Sequence, residues 1–591
     1  MLFRRFFLPL RGSACPSSSS SSSACPALFC CASPSSVPYL PLPRSSAPSP
    51  FPSFSSSASP SVRFVSLLFR LVVVLGGLVF GFALYHRTTN MWTLKNLGDS
   101  FIVKRIGRRP IVLGAFHRPP EEQNVRGHFA VFQFLGDVRQ THALFCVSEG
   151  KDSKKVLSEA HIERIHQGKR AANDICAWGG HLAECQLADG TAESIRLTPN
   201  RHILSLATSA LSDHSIEVPL EKPLHFGPKK FPLVVCVAPM YTYTEWQIMV
   251  TGIEVWLALG ASKMVFPIQS ASADTIQILT EYQRIGIVHL RVWPKWPVLS
   301  DANPNGLVLS RGIEESHVNC LHFVKPFAEM VVITDIDDML MPLDPMKVRP
   351  GINVDILKDL FHQHPNAGSL LFEHRDVQFV LPDPSTQNTL RSFNFEFLAH
   401  SKWKTSCKVW RMKTRVAVNA SRVDTVNMHE SGIHRFGFVQ VRVPCRQAHF
   451  YHLRHSYKNI AINEWPIDMS KLRQMLNERW HFRAESNFSS EMQSKMLARS
   501  SVESFEDFDK CMSAINEEHW RLRVSRCLTP HVCFSRLAKN ISCVATTGDY
   551  AFVHSNGDFI SVLRNARFVG SDANCEAPMP RFVTGNHFYT P

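Results

Sequence analysis

From Phe231 to Thr334 the apolar residues keep changing period, and this pattern restricts the possible folds more than anything else in the chain. Phe231-Pro-Leu-Val-Val-Cys-Val-Ala238 is a continuous apolar run of strand length, suited to burial on both faces. Trp246 to Leu259 then carries apolar residues at helical spacing, ending at Gly260. Lys263 to Ile268 reads as strand, Ala273 to Tyr282 as helix with Gly286 beyond it, and Ile287 to Val292 as strand again. Such alternation calls for a mostly parallel sheet covered by helices, whose ligands bind beyond the carboxyl ends of the strands. The fold class expected is α/β.

At one such strand end stands an acidic cluster. Met330-Val-Val-Ile-Thr334 runs directly into Asp335-Ile336-Asp337-Asp338 and then Met339-Leu-Met-Pro342. Carboxylates crowded beyond a buried strand repel one another, and the arrangement is favourable only with positive charge among them. Asp oxygens suit a hard divalent cation such as Mn2+ or Mg2+, which keeps positions open for phosphates. The plain alternative is a solvated turn of N-capping aspartates, and the buried strand just before it argues against that.

The flanking sequence divides the 591 residues further. Of 64 Lys+Arg and 50 Asp+Glu, giving a net charge of +14, no acid precedes Asp99. Residues 1–62 are rich in Ser and Pro and are expected to be a disordered cytosolic tail. Phe64 to Tyr85 is apolar apart from Arg70, about the ~20 residues that cross a bilayer. With Arg4, Arg5, Arg11, Arg44 and Arg63 ahead of it, residues 63–86 are expected to be a type II signal anchor that leaves the rest lumenal. Residues 87–230 read as a β-rich stem, 231–460 as the catalytic domain, and 461–591 as a disulfide-bearing helical extension. Of 16 cysteines, four lie in the tail, leaving 16 − 4 = 12 beyond it; none is in CxxC spacing, so disulfides of open connectivity are expected rather than a zinc cluster.

Val234-Cys-Val-Ala-Pro-Met-Tyr241, Glu245-Trp246, Asn319-Cys320-Leu321 and Thr334-Asp-Ile-Asp-Asp338 with Pro342 resemble glycosyltransferase family 92 of nematode type, as do Lys408, His429 and His452-Leu-Arg454. The resemblance spans about Phe231 to His455. Two departures stand out: Val318-Asn319-Cys320 where the family often has Asn-Asp-Cys, and His452-Leu453-Arg454 where it has His-Tyr-Arg. The resemblance implies a Rossmann-like nucleotide-sugar-transferase fold of GT-A type and an inverting mechanism. It further implies transfer of galactose from UDP-galactose to a glycan or glycoprotein acceptor, and placement in the Golgi membrane.

On that reading Asp335, Asp337 and Asp338 hold Mn2+ or another divalent cation at the donor diphosphate, with His452 completing the shell. Lys408, Arg411 and Arg454 are the expected diphosphate cations, and His429 is expected to touch donor or acceptor. The nucleotide base is expected near Pro239, Met240 and Tyr241, with Tyr241 stacking on it. Inverting transfer needs a general base; Glu373, Asp376 and Glu396 each follow a strand-like run, and Glu373 is preferred.

Two other classes compete. A DxD phosphatase normally has Thr or Val two residues after the second Asp, whereas Asp337 is followed by Asp338 and Met339. A membrane-tethered glycan-binding protein with a structural ion would ignore UDP. Nucleic-acid binding is disfavoured, because the positive excess is dispersed.

Overall fold

A computed structural model describes residues 73–79, 107–119, 127–149, 155–165, 176–188, 204–210, 214–222, 230–382, 386–403, 414–427, 429–444, 446–455, 465–498, 510–511, 514, 533, 541–572 and 574–587. The chain falls into two compact units, residues 1–102 and 103–591.

In the second unit β1 (Ile111–Arg118), β2 (Phe129–Asp137), β3 (Phe145–Glu149), β4 (Lys155–Glu159), β5 (His161–Arg164), β6 (Trp178–Gln186), β7 (Leu204–Ala207) and β8 (Ile216–Glu217) come first. The alternating region follows with β9 (Phe231–Val237), α1 (Trp246–Leu259), β10 (Lys263–Ile268), β11 (Ser270–Ser272), α2 (Ala273–Arg284) and β12 (Val288–Val292). It continues with α3 (Ile313–Val324), β13 (Ala328–Thr334), β14 (Asp338–Pro342), α4 (Ile352–Gln363), β15 (Ala367–Phe379), β16 (Lys402–Trp403) and β17 (Thr414–Asn419). Then come β18 (Val439–Arg442), β19 (Ala448–His455), β20 (Trp465–Pro466), α5 (Ser470–Ser486), α6 (Ser490–Ser494), β21 (Cys543–Ser555), β22 (Asp558–Ser571) and β23 (Arg581–Gly585).

The central sheet runs β12-β10-β9-β13-β17-β15. Its first four strands are parallel, and β17 is antiparallel to both β13 and β15. Period-2 alternation along β9 sends its side chains into two separate cores. Leu233, Val235 and Val237 join Trp246, Met249 and Ile253 of α1 on one face. Val234 and Cys236 join Val318, Cys320 and Leu321 of α3 on the other. This is why the run is apolar throughout instead of alternating. The result is a mixed α/β fold in which β13 is central and its carboxyl end, the Asp335–Asp338 turn, is flanked by both helical layers.

The last strands do not form the helical extension expected from the sequence. Helices occupy Ser470–Ser486 and Ser490–Ser494, after which β21 and β22 pair antiparallel. β22 runs parallel to β1, with Ile111 opposite Ser561, so the two ends of the unit share one sheet. β21 also takes β11 as a neighbour, with Ser270 opposite Ala545. Disulfides join Cys146 to Cys185, Cys236 to Cys320, Cys511 to Cys533 and Cys543 to Cys575.

The expected membrane anchor, and with it the Golgi type II placement, is corrected. Among the described residues no helix is long and apolar enough to cross a membrane. Within 63–86 only the helical residues 73–79 are described; the remainder, and the tail 1–62, lie outside the described residues.

The Cys236–Cys320 bridge ties β9 to α3 across 84 residues of sequence. Closing a loop of that length restricts the unfolded chain, an effect worth about 2–5 kcal/mol. The C236S/C320S variant is expected to lose stability of that size, read as a lower urea midpoint at a somewhat higher m-value, because the freed unfolded chain exposes more surface.

Candidate metal and donor site

The acidic turn leaves the end of β13 and re-enters the sheet system at once, because Asp338 is already the first residue of β14. There it stands opposite His452 of β19. The amide of Leu453 donates to Asp337 O at 2.8 Å, which locks the turn to β19. α1 holds the turn from below. The Trp256 indole N–H donates to Asp338 O at 2.9 Å. A Cβ on Gly252 would stand 2.0 Å from Ile336 O, so only glycine lets the helix approach this closely.

Asp335, Asp337 and Asp338 have carboxylate oxygens within 4.8 Å of one another, and Asp338, His374 and His452 form a second such group. Asp338 is fully buried. His374 Nε2 and His452 Nδ1 each lie 2.7 Å from its Oδ1, and Arg415 Nε donates to its Oδ2 at 2.5 Å. Arg415 also pairs with Asp335, so one buried guanidinium bridges two of the three carboxylates. His429 stands behind it, with Nδ1 3.3 Å from Arg415 Nη1 and 3.1 Å from Thr414 O. Burial depresses His317 to about 4; it lies on α3 within electrostatic reach of Asp335 and Arg415.

These charges do not balance. Burial alone would raise Asp338, but Arg415, His374 and His452 hold it well below the usual carboxylate range. Burial would lower His452, yet Asp337 and Asp338 push it up to about 9. Asp337 is left over. Burial, together with the charges of Asp338 and Asp335, outweighs His452 and pushes it up to about 6. Two cations, Arg415 and His452, face three carboxylates. The residual negative charge, with carboxylate and imidazole donors within 4.8 Å, fits a divalent cation.

The other residues singled out by sequence are scattered. Met240 and Tyr241 are 2% and 5% exposed, and Pro239 is buried beside them. The Tyr241 hydroxyl donates to Arg311 O at 2.6 Å, and its ring packs in a core with Trp293 and Trp296. No ring face is left for a base to stack on, which corrects that expectation. Glu373 faces Arg375 at 3.5 Å and Arg442 at 4.0 Å. Asp376 lies opposite His452 in the β15–β19 ladder and, by strand alternation, on the same face as His374. Lys408 and Arg411 lie outside the described residues, and Arg454 stands opposite Gln378 in that ladder.

Sequence reading missed Arg415, His374 and His317. For Arg415 a signal existed: it directly precedes the apolar run Val416-Ala-Val418, and an arginine carried into a sheet interior by such a strand needs an acidic partner.

A family model described as glycosyltransferase family 92 matches residues 231–496. The chain carries a glycosyltransferase family 92 domain. The match takes in α5 and α6, and α5 supplies Leu472, Leu476 and Trp480 to the core shared with α1. One family 92 protein of Caenorhabditis elegans is 28% identical over 131 residues, covering 22% of this chain and 25% of that protein. Another is 26% identical over 284 residues, covering 47% and 49%. The chain thus spans a quarter to a half of the length of these curated relatives. Among solved structures, Staphylococcus aureus TarS is 12% identical over 32% of this chain and 47% of its own, with a TM-score of 0.19. The mannosyltransferase PcManGT of Pyrobaculum calidifontis, in complex with GDP-Man and Mn2+, is 11% identical over 54% and 90%, with a TM-score of 0.21. At these scores neither structure bears on what the family 92 domain does.

Two outcomes follow for the metal-free protein. A carboxyl whose folded-state pKa is raised costs stability as pH climbs from its unfolded value to the folded one, and the cost is complete above about 6. Asp337→Asn removes that cost. Because Asp337 is 28% exposed, the gain is discounted to about 1–2 kcal/mol at pH 8, vanishing by about pH 4, as thermal unfolding at the two pH values will read. Gly252→Ala drives a methyl into the Ile336 carbonyl. It is expected to weaken Mn2+ binding about tenfold or more by calorimetry, since misplacing a turn by an ångström is costly.

Proposed function

We propose that the family 92 domain is a metal-dependent, inverting glycosyltransferase that moves galactose from UDP-galactose to a glycan acceptor. The observation that carries this reading is the Asp335–Asp338 turn at the carboxyl end of a central parallel strand, with His452 facing it across β14 and β19. Open α/β sheets hold nucleotides at such strand ends.

Asp335, Asp337 and His452 hold the cation, Mn2+ in this reading. When bound, the ion neutralises charge on the departing nucleoside diphosphate. Arg415 keeps Asp335 and Asp338 in place, and His429, against Arg415 and Thr414, supports it instead of touching substrate. Arg454 and Lys408 remain the assigned diphosphate contacts, through charge-assisted hydrogen bonds. Asp376 replaces Glu373 as the general base. It lies beside His452 on the site face, whereas Glu373 is taken by two arginines. Its carboxylate accepts the acceptor hydroxyl proton as that oxygen attacks the anomeric carbon from the side opposite the leaving diphosphate.

The decisive experiment is a donor-hydrolysis screen across UDP-galactose, other UDP-sugars and GDP-mannose, with and without Mn2+, beside calorimetric titration with UDP. Metal-dependent UDP binding and preferential cleavage of UDP-galactose are expected. Binding of free glycan with indifference to UDP would replace the transferase by a glycan-binding protein. Asp337→Ala is expected to lower turnover about a thousandfold while the domain stays folded. Asp376→Asn is expected to lower kcat about 10²–10⁴-fold, against little change for Glu373→Gln.

A further inference from the structure

Asp338 differs from its two neighbours. The side chains of Asp335 and Asp337 are 37% and 28% exposed, and that of Asp338 is 0% exposed. Its Oδ1 meets His374 Nε2 and His452 Nδ1, both at 2.7 Å. Its Oδ2 accepts from Arg415 Nε at 2.5 Å and from Thr334 Oγ1 and the Asp335 amide, both at 3.3 Å. A carboxylate offers about four lone-pair positions, and five donors already claim them. A cation could reach Asp338 only by breaking these bonds. Asp337 Oδ2 stands 3.6 Å from the same His452 nitrogen, so Asp338 is the closer partner.

We propose that Asp338 is a positioning residue that acts through His452 and is not itself a metal ligand, an inference that rests on the metal-binding reading above. By accepting the Nδ1–H of His452 it orients the ring and keeps a proton on Nδ1, so that Nε2, whose proton is released to solvent when a cation binds, is the nitrogen that would take the ion. A ligating histidine usually donates its other N–H to such a carboxylate, which orients the ring and raises its basicity. The ladder reinforces this, because Asp338 and His452 are cross-strand partners on β14 and β19. His374, whose side chain is 1% exposed and which is bound to the same carboxylate oxygen, packs its ring 4.8 Å from that of His452 and hinders its rotation.

The test is calorimetric titration of the full chain with Mn2+ alone. Asp338→Asn is expected to keep a stoichiometry of one and lose affinity about 10–100-fold. His452→Ala loses at least as much, and the D338N/H452A double variant binds no more weakly than His452→Ala, since Asp338 acts only through that ring. Losses that multiply in the double variant would make Asp338 an independent ligand and overturn the proposal. If Asp338→Asn fails to fold, an anomalous-diffraction map of the wild-type protein with Mn2+ decides. An ion on His452 Nε2, with Asp338 still on Nδ1, supports the assignment. An ion on an Asp338 oxygen or on Nδ1 overturns it but leaves the metal site standing. A wild-type protein that binds no Mn2+ removes both.

Discussion

Three carboxylates gathered in one turn at the end of a buried strand repel one another. The turn holds its shape only because a buried arginine and a histidine stand among them. Arg415 reaches the turn from β17, the strand hydrogen-bonded to β13, and its guanidinium spans Asp335 and Asp338. His452 comes from β19, across β14. Removing either partner would leave charge uncompensated in a dry environment, so the geometry of the site and the pairing of these strands are one problem.

The compensation is incomplete, and the shortfall gathers at Asp337. A site that is electrostatically unsatisfied without its ligand gives up stability in exchange for affinity, as functional sites commonly do. α1 supplies the mechanical counterpart. A glycine where the helix meets Ile336 O and an indole hydrogen bond to Asp338 O keep the turn from relaxing outward. The remaining histidines extend the arrangement: His429 supports the arginine and His374 shares the buried carboxylate.

Much of this was legible in the residues. The period changes between Phe231 and Val292 announce parallel strands and helices, because burial on one or two faces leaves a direct mark on which positions are apolar. The Asp335–Asp338 cluster reads as a cation site because like charges need a reason to be adjacent. Roles that depend on which face of a strand a residue occupies were not legible. Glu373 and Asp376 are three residues apart and chemically alike, yet strand alternation turns one toward Arg375 and Arg442 and the other toward the side of His374. Tyr241 follows the first strand as a base-stacking residue would, but the packing of Trp293 and Trp296 around it consumes its ring.

By itself the sequence determined local matters: where strands and helices form between Phe231 and Thr334, where the carboxylates crowd, and that the cysteines beyond the tail favour disulfides over a metal cluster. These follow from composition and spacing over a few residues, for which chain neighbours suffice. Tertiary structure decided the rest. It brought Asp338, His374, Arg415 and His452 into one hydrogen-bonded group and made partners of β1 and β22, strands from opposite ends of the unit. Such contacts join positions tens to hundreds of residues apart, and pairing at that distance depends on sheet register and on which groups find compensation once water is excluded. No local pattern encodes either.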